Sequence, residues 1–198
     1  MNLLLFQTPS GEFYPIVPRA AEDQPEYPAD AGWLELWKAR IRRGYLRLAE
    51  RFNHEELTCA HLRHAQYLAV RHSARQPSEA VEKKFRQFLN MRYSKHGRWF
   101  WIDAVLAFFG IFLMFLPGPN VFFFYPAIRS LGHYHARNGA RNVLSLQNFS
   151  FQPEPLIDEV QEKLHDLGAT AGAVEQLEKR YGFEDLKKLL TQLGKHES

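Results

Sequence analysis

From Ala104 to Ile128 the chain carries no formal charge, and inside that stretch stands Pro117-Gly118-Pro119-Asn120. Such a run exceeds the roughly 20 residues that a membrane-spanning helix needs. It cannot be one helix, because two prolines remove amide donors and the glycine between them loosens the backbone. The two arms are unequal. As helices, Trp99 to Leu116 would reach about 27 Å and Val121 to Ile128 about 12 Å, against a hydrocarbon core about 30 Å thick. Two full crossings do not fit, so the lengths predict a re-entrant hairpin that enters a bilayer, turns and leaves on the same side.

The flanks agree with that reading. Lys95 and Arg98 precede the segment and Arg129, Arg137 and Arg141 follow it. Positive flanks on both sides place both ends on the cytoplasmic or matrix-equivalent face. Trp99, Trp101, Tyr125 and Tyr134 near the arm ends form the aromatic belt that an interface attracts. With antiparallel arms about Gly118, Asp103 faces His133 and Arg129 lies one turn deeper. A lone carboxylate at a bilayer edge is costly, so Asp103 is expected to pair with Arg129 or His133 in a proton-responsive or structural cluster.

Charge is segregated along the chain. Residues 1–32 sum to −4, 33–98 to +9, 99–149 to +2 and 150–198 to −4, within a total of +3. A basic block just before the most apolar segment points to anionic lipid. No recognition motif accompanies it, so nucleic acid is not an expected partner. The single cysteine, Cys59, excludes an internal disulfide framework. The start, MNLLLFQTPSGEFYPIV, has neither the basic region of a signal peptide nor the arginine-rich face of a transit helix, so no import signal is expected.

Elsewhere the pattern is that of a small globular chain. Leu3 to Phe6 and Phe13 to Val17 read as two short strands or extended segments about the turn Thr8-Pro9-Ser10-Gly11. Residues 18–32 read as a linker, and Trp33 to Phe52 as an amphipathic helix. A second helix is expected over Glu55 to Ala65, a short strand over Tyr67 to Val70, and a helix after Pro77, capped by Ser78, with the stripe Val81, Phe85, Phe88, Leu89 and Tyr93. Three short apolar sets follow, each ending at a glycine suited to a left-handed cap: Gly168, Gly182 and Gly194. The expected fold is mainly α: a small α/β-like, basic N-terminal region over 1–98, a Pro-Gly-Pro-broken helical membrane hairpin over 99–141, and an acidic three-helix module over 150–198.

His96 to Ala104 (HGRWFWIDA) and Leu116 to Ala140 (LPGPNVFFFYPAIRSLGHYHARNGA) resemble the mitochondrial K+/H+ exchange-related family. The positions that match are Asp103, the turn Pro117, Gly118, Pro119 and Asn120, then Arg129, His133, Arg137 and Gly139. The resemblance implies an inner-membrane protein linked to potassium–proton exchange, and with no import signal it implies a bacterial inner-membrane location, both hairpin ends cytoplasmic.

Function on this reading is non-enzymatic: the chain takes part in or regulates cation–proton exchange, with the lipid bilayer, a protein partner or a second copy as its associates and no cofactor. A monotopic scaffold on anionic lipid, or a soluble helical domain with a buried aromatic hairpin, is the alternative. Cys59, His61 and His64, with His133 and His135, allow a metal-binding enzyme to be imagined, but their spacing matches no strong ligand signature, and no metal site is expected.

Overall fold

The computed structural model describes residues 1–8, 11–18, 32–33, 54–112, 121–163, 169–183 and 186–195. Its elements are β1 (Asn2–Gln7), β2 (Phe13–Ile16), α1 (His54–His61) followed by a 3-10 turn (Leu62–His64), β3 (Leu68–His72), α2 (Ser78–Phe112), α3 (Val121–Ser145), β4 (Phe149–Pro153), α4 (Pro155–Glu162), α5 (Ala171–Tyr181) and α6 (Leu186–Lys195). The protein is mainly helical with a small mixed sheet. Apart from Trp33, the expected helix from Trp33 to Phe52 lies outside the described residues, and so does the Pro117-Gly118-Pro119-Asn120 turn.

Two compact units interleave along the chain. One draws on Met1–Asp23, Gln66–Phe88 and Leu146–Ser198, the other on Gln24–Ala65 and Leu89–Ser145. The first is built on the sheet, in the order β2-β1-β3-β4, with β1 antiparallel to β2 and parallel to β3, and β3 parallel to β4. An unbroken Leu3-Leu4-Leu5-Phe6 run is what a strand buried on both faces requires, and all four side chains are buried.

Alternation sorts them. Leu4 and Phe6, with Ile16, join Ile157, Val160, Val174, Leu177, Leu186 and Leu190 in one core, so the C-terminal helices cover one face of the N-terminal strands. On the opposite face Phe85 meets Phe149 and Phe151 edge-on at 6.3 and 6.2 Å, which seats the first turns of α2 on β4.

Three readings change. The strand β4 was not anticipated: it is a short edge strand ending in Pro153, and only its parallel partner β3 organises it. The stripe helix and the first hairpin arm are one continuous helix, α2, because Ser94 to Arg98 contains a glycine but no proline to stop it. Of the glycine caps, Gly182 is left-handed at φ 71° and returns its N–H to the Glu178 carbonyl. Gly194 instead lies within α6, which runs on to Lys195, and Gly168 lies outside the described residues.

Glu154 ties this core together. It caps α4, is buried, and accepts from the Arg180 guanidinium at 3.2 Å and from the Tyr181 hydroxyl. Burial, with the Glu154 contact behind it, holds the Tyr181 phenol above its ordinary value of 10. The folded chain therefore keeps a proton that the unfolded chain releases first, and stability falls as pH rises through and above 10. Urea midpoints measured on the alkaline side should drop in the native chain and flatten in Tyr181→Phe; an equal slope in both would contradict the assignment. Removing Phe6 from the shared core as Phe6→Ala should cost about 3–5 kcal/mol in the same unfolding measurement.

Candidate functional site

The second unit is organised by two helices running antiparallel. Along α2, Tyr93, His96, Asp103 and Gly110 recur at near-helical spacing on one face, and along α3, Phe122, Arg129, His133 and Arg137 do the same. They meet in order. The Arg137 guanidinium donates to the Tyr93 hydroxyl at 2.9 Å and lies 4.8 Å from its ring centre. His96 faces His133, and Asp103 faces both Arg129 and His133.

Toward the turn, a Cβ on Gly110 would fall 2.6 Å from the Phe122 carbonyl oxygen, so only glycine permits this approach. Pro126 lies inside α3 and offers no N–H to that carbonyl, which would be its partner one turn earlier.

A third element closes the site. Gly139 on α3 meets α1 so tightly that an added Cβ would sit 1.6 Å from the Cys59 carbonyl oxygen. Ala136, Ala140 and Val143 on the same stripe are fully buried. The Asn142 amide donates to the carbonyls of Leu62 and Ala65 at 2.9 and 2.8 Å, clamping the end of the 3-10 turn that the Ala65 N–H closes on Leu62 O. With α1 seated this way, Glu56, one turn before Cys59, reaches the histidines.

The result is a buried polar cluster of Glu56, His96, Asp103 and His133. The two imidazoles approach through their Nδ1 atoms at 3.0 Å, and His133 Nδ1 lies 3.6 Å from Glu56 Oε2. The other ring nitrogen of His133 lies 3.5 Å from Asp103 Oδ2, and Arg129 Nε lies 3.7 Å from the same oxygen. Arg129 also stacks over Trp99 at 5.3 Å.

Burial dominates the electrostatics. It lowers His96 to about 3, helped by His133, Lys95 and Arg92, and His133 to about 4, helped by Arg129 and Lys95. The Asp103 carboxyl is pushed up by burial, and Arg129 works against that rise. Both imidazoles are thus neutral near pH 7, whereas a histidine in water would titrate there.

The structure brings together Asp103, Arg129 and His133: Asp103 Oδ2 lies 3.5 Å from His133 and 3.7 Å from Arg129, while His133 also reaches back along α2 to His96. Arg137 and Gly139 serve the helix contacts just described. Of the residues imagined as metal ligands from the sequence, His133 enters the buried cluster while the other histidines are engaged elsewhere: His61 Nδ1 donates to its own helix at Leu57 O, 2.7 Å away, His64 accepts from Arg63, and His135 turns to the Tyr134 ring. Sequence reasoning missed Glu56 and His96. His96 was within reach, because it stands seven residues before Asp103 and so shares its face; Glu56 is brought in by α1 alone and left no local signal.

Around the turn end of the pair the surface is apolar. Phe108, Phe109 and Phe112 on α2 and Phe122, Phe124 and Tyr125 on α3 are exposed, Phe122 by 72%, and Trp101, two turns farther back along α2, is exposed as well. Exposed Lys95, Arg98 and Arg141 lie at the opposite end. Among the described residues no helix is long and apolar enough to cross a membrane.

The family model described as mitochondrial K+-H+ exchange-related matches residues 34–147, more than half of the 198-residue chain. No curated protein and no solved structure matches it. The matched span contains α1, α2 and α3, and with them every residue of the polar cluster.

Because α1 is held by a contact that tolerates no side chain, Gly139→Ala should destabilise the chain by about 3 kcal/mol. A thermal melt unchanged by the substitution would contradict the packing.

Proposed function

The chain belongs to the mitochondrial K+-H+ exchange-related family, and from that premise we propose that it is a non-enzymatic membrane-associated protein that takes part in, or regulates, cation–proton exchange. The observation that carries the membrane half of this reading is the apolar end of the α2–α3 pair. Trp101, Ile102, Val105, Leu106, Phe108, Phe109, Ile111 and Phe112 are all exposed in one helix, and contiguous apolar surface of this kind mediates insertion or association. A buried aromatic hairpin would have hidden those side chains.

Because no described helix suffices for a crossing, the reading is insertion of the hairpin end into one leaflet. The exposed basic residues Lys95, Arg98 and Arg141 then lie where anionic headgroups stand. Exchange across the membrane needs a continuous path, which one hairpin cannot line, so the chain acts with further copies or with a partner. Support for the exchange half is the family description alone.

Flotation of the purified chain with vesicles tests the insertion. Burial of one phenylalanine is worth about 2 kcal/mol, so replacing two exposed ones as Phe109→Asp with Phe122→Asp should weaken partitioning about 100-fold or more. A native chain that stays in the aqueous fraction would overturn the reading. In vesicles that carry it, potassium-driven proton movement should differ from that of empty vesicles, and identical traces would remove the exchange half.

A further inference from the structure

We propose that Glu56, His96 and His133 form a binding site for one divalent transition-metal ion of the zinc type, ligated by two imidazole Nδ1 atoms and one carboxylate oxygen. This goes beyond the functional reading above and does not depend on it.

The geometry comes first. The three residues each offer one ligand atom, and these atoms lie within 4.8 Å of one another. The two Nδ1 atoms are 3.0 Å apart, and His133 Nδ1 is 3.6 Å from Glu56 Oε2. Metal bonds of about 2.0–2.1 Å at tetrahedral angles put neighbouring ligand atoms about 3.3 Å apart, so an ion fits among these atoms with shifts of a few tenths of an ångström.

Proton bookkeeping comes second. Two neutral imidazoles that face each other through Nδ1 can share one hydrogen there, which leaves one Nε2 as a bare acceptor and the other as a bare donor. Both Nε2 atoms are buried without a hydrogen-bond partner, and His96 and His133 are only 5% and 4% exposed. Unpaired buried nitrogens cost free energy. With a metal on both Nδ1 lone pairs, the tautomers are fixed and each Nε2 carries its hydrogen.

For His133 that hydrogen has a destination: Asp103 Oδ2, 3.5 Å away and itself buried without a hydrogen bond. A carboxylate behind a ligating histidine is the usual way a metal-bound ring is oriented.

The donor set selects the ion. Two imidazoles and one carboxylate suit zinc and its transition-metal neighbours, whereas calcium and magnesium take oxygen shells. Potassium, a larger and harder ion, is also poorly served by imidazole nitrogen. Glu56 brings one negative charge to the ion directly, and Asp103, which is shared with Arg129, stands behind the His133 ring. Three protein ligands leave a position for water.

Cobalt(II), a coloured stand-in for zinc, provides the test on the full chain stripped with chelator. One equivalent should bind per chain with a visible ligand-field spectrum, and zinc should displace it. Glu56→Gln, close in shape to the native side chain, should lower the affinity at least about 100-fold, and Asp103→Asn, which keeps all three ligands, about 10–100-fold. His61→Ala should change nothing, since that ring is bound to its own helix. Circular dichroism of each stripped variant shows whether it is folded.

The proposal is overturned if the native chain binds no cobalt beyond what Glu56→Gln with His133→Gln binds. It is overturned equally if folded Glu56→Gln keeps the native affinity and spectrum.

Discussion

A single close contact governs the second unit: the backbone of Gly139 against the carbonyl of Cys59. Two helices can approach this closely only where one of them presents no side chain, and the small residues on either side, Ala136 and Ala140, extend the same permission along α3. The position of α1 follows from it, the Asn142 amide locks the end of the following turn, and Glu56 is carried to within 3.6 Å of His133. Dispersion and hydrogen bonding thus place a carboxylate where electrostatics alone would not bring it. Desolvation of a charge is costly, and a buried carboxylate persists only with partners around it.

The α2–α3 pair presents two kinds of chemistry along its length. At the end near the turn, phenylalanines face outward, and close packing is secured by Gly110 against the Phe122 backbone, with no polar side chain needed. Further along, the interior between the helices turns polar, and the surface changes from aromatic to basic. The polar interior is quiet at neutral pH because burial keeps both imidazoles uncharged. A neutral histidine pair is unsuited to sensing small changes of pH around 7, which weakens the idea that His133 gates by titration. It is well suited to donating lone pairs.

How much of this the sequence discloses depends on how local the cause is. The hairpin of β1 and β2 is legible in Thr8-Pro9-Ser10-Gly11 between apolar runs, and the start of α2 in Pro77-Ser78 with its stripe, because turn chemistry and periodicity act within a few residues. Gly182 is legible for the same reason, whereas Gly194 shows that a glycine after a leucine can also simply continue a helix. The strand β4 is not legible, since Phe149 to Pro153 becomes a strand only by pairing with β3, far away in the chain. Nor is the shared core of β1, β2 and the C-terminal helices, which joins the two ends of the sequence. In the site, the Asp103 partners follow from antiparallel arms about a proline turn. Glu56 follows from nothing local.

The account rests on the hairpin end residing in the apolar part of a bilayer. Fluorescence of a variant whose single tryptophan replaces the exposed Phe109, the native tryptophans being changed to phenylalanine, in vesicles whose acyl chains carry bromine, measures this directly. Strong quenching by the brominated chains together with shielding from aqueous iodide is the predicted result. Emission untouched by bromine and fully open to iodide would show that this end of the molecule stays in water, and would contradict the account.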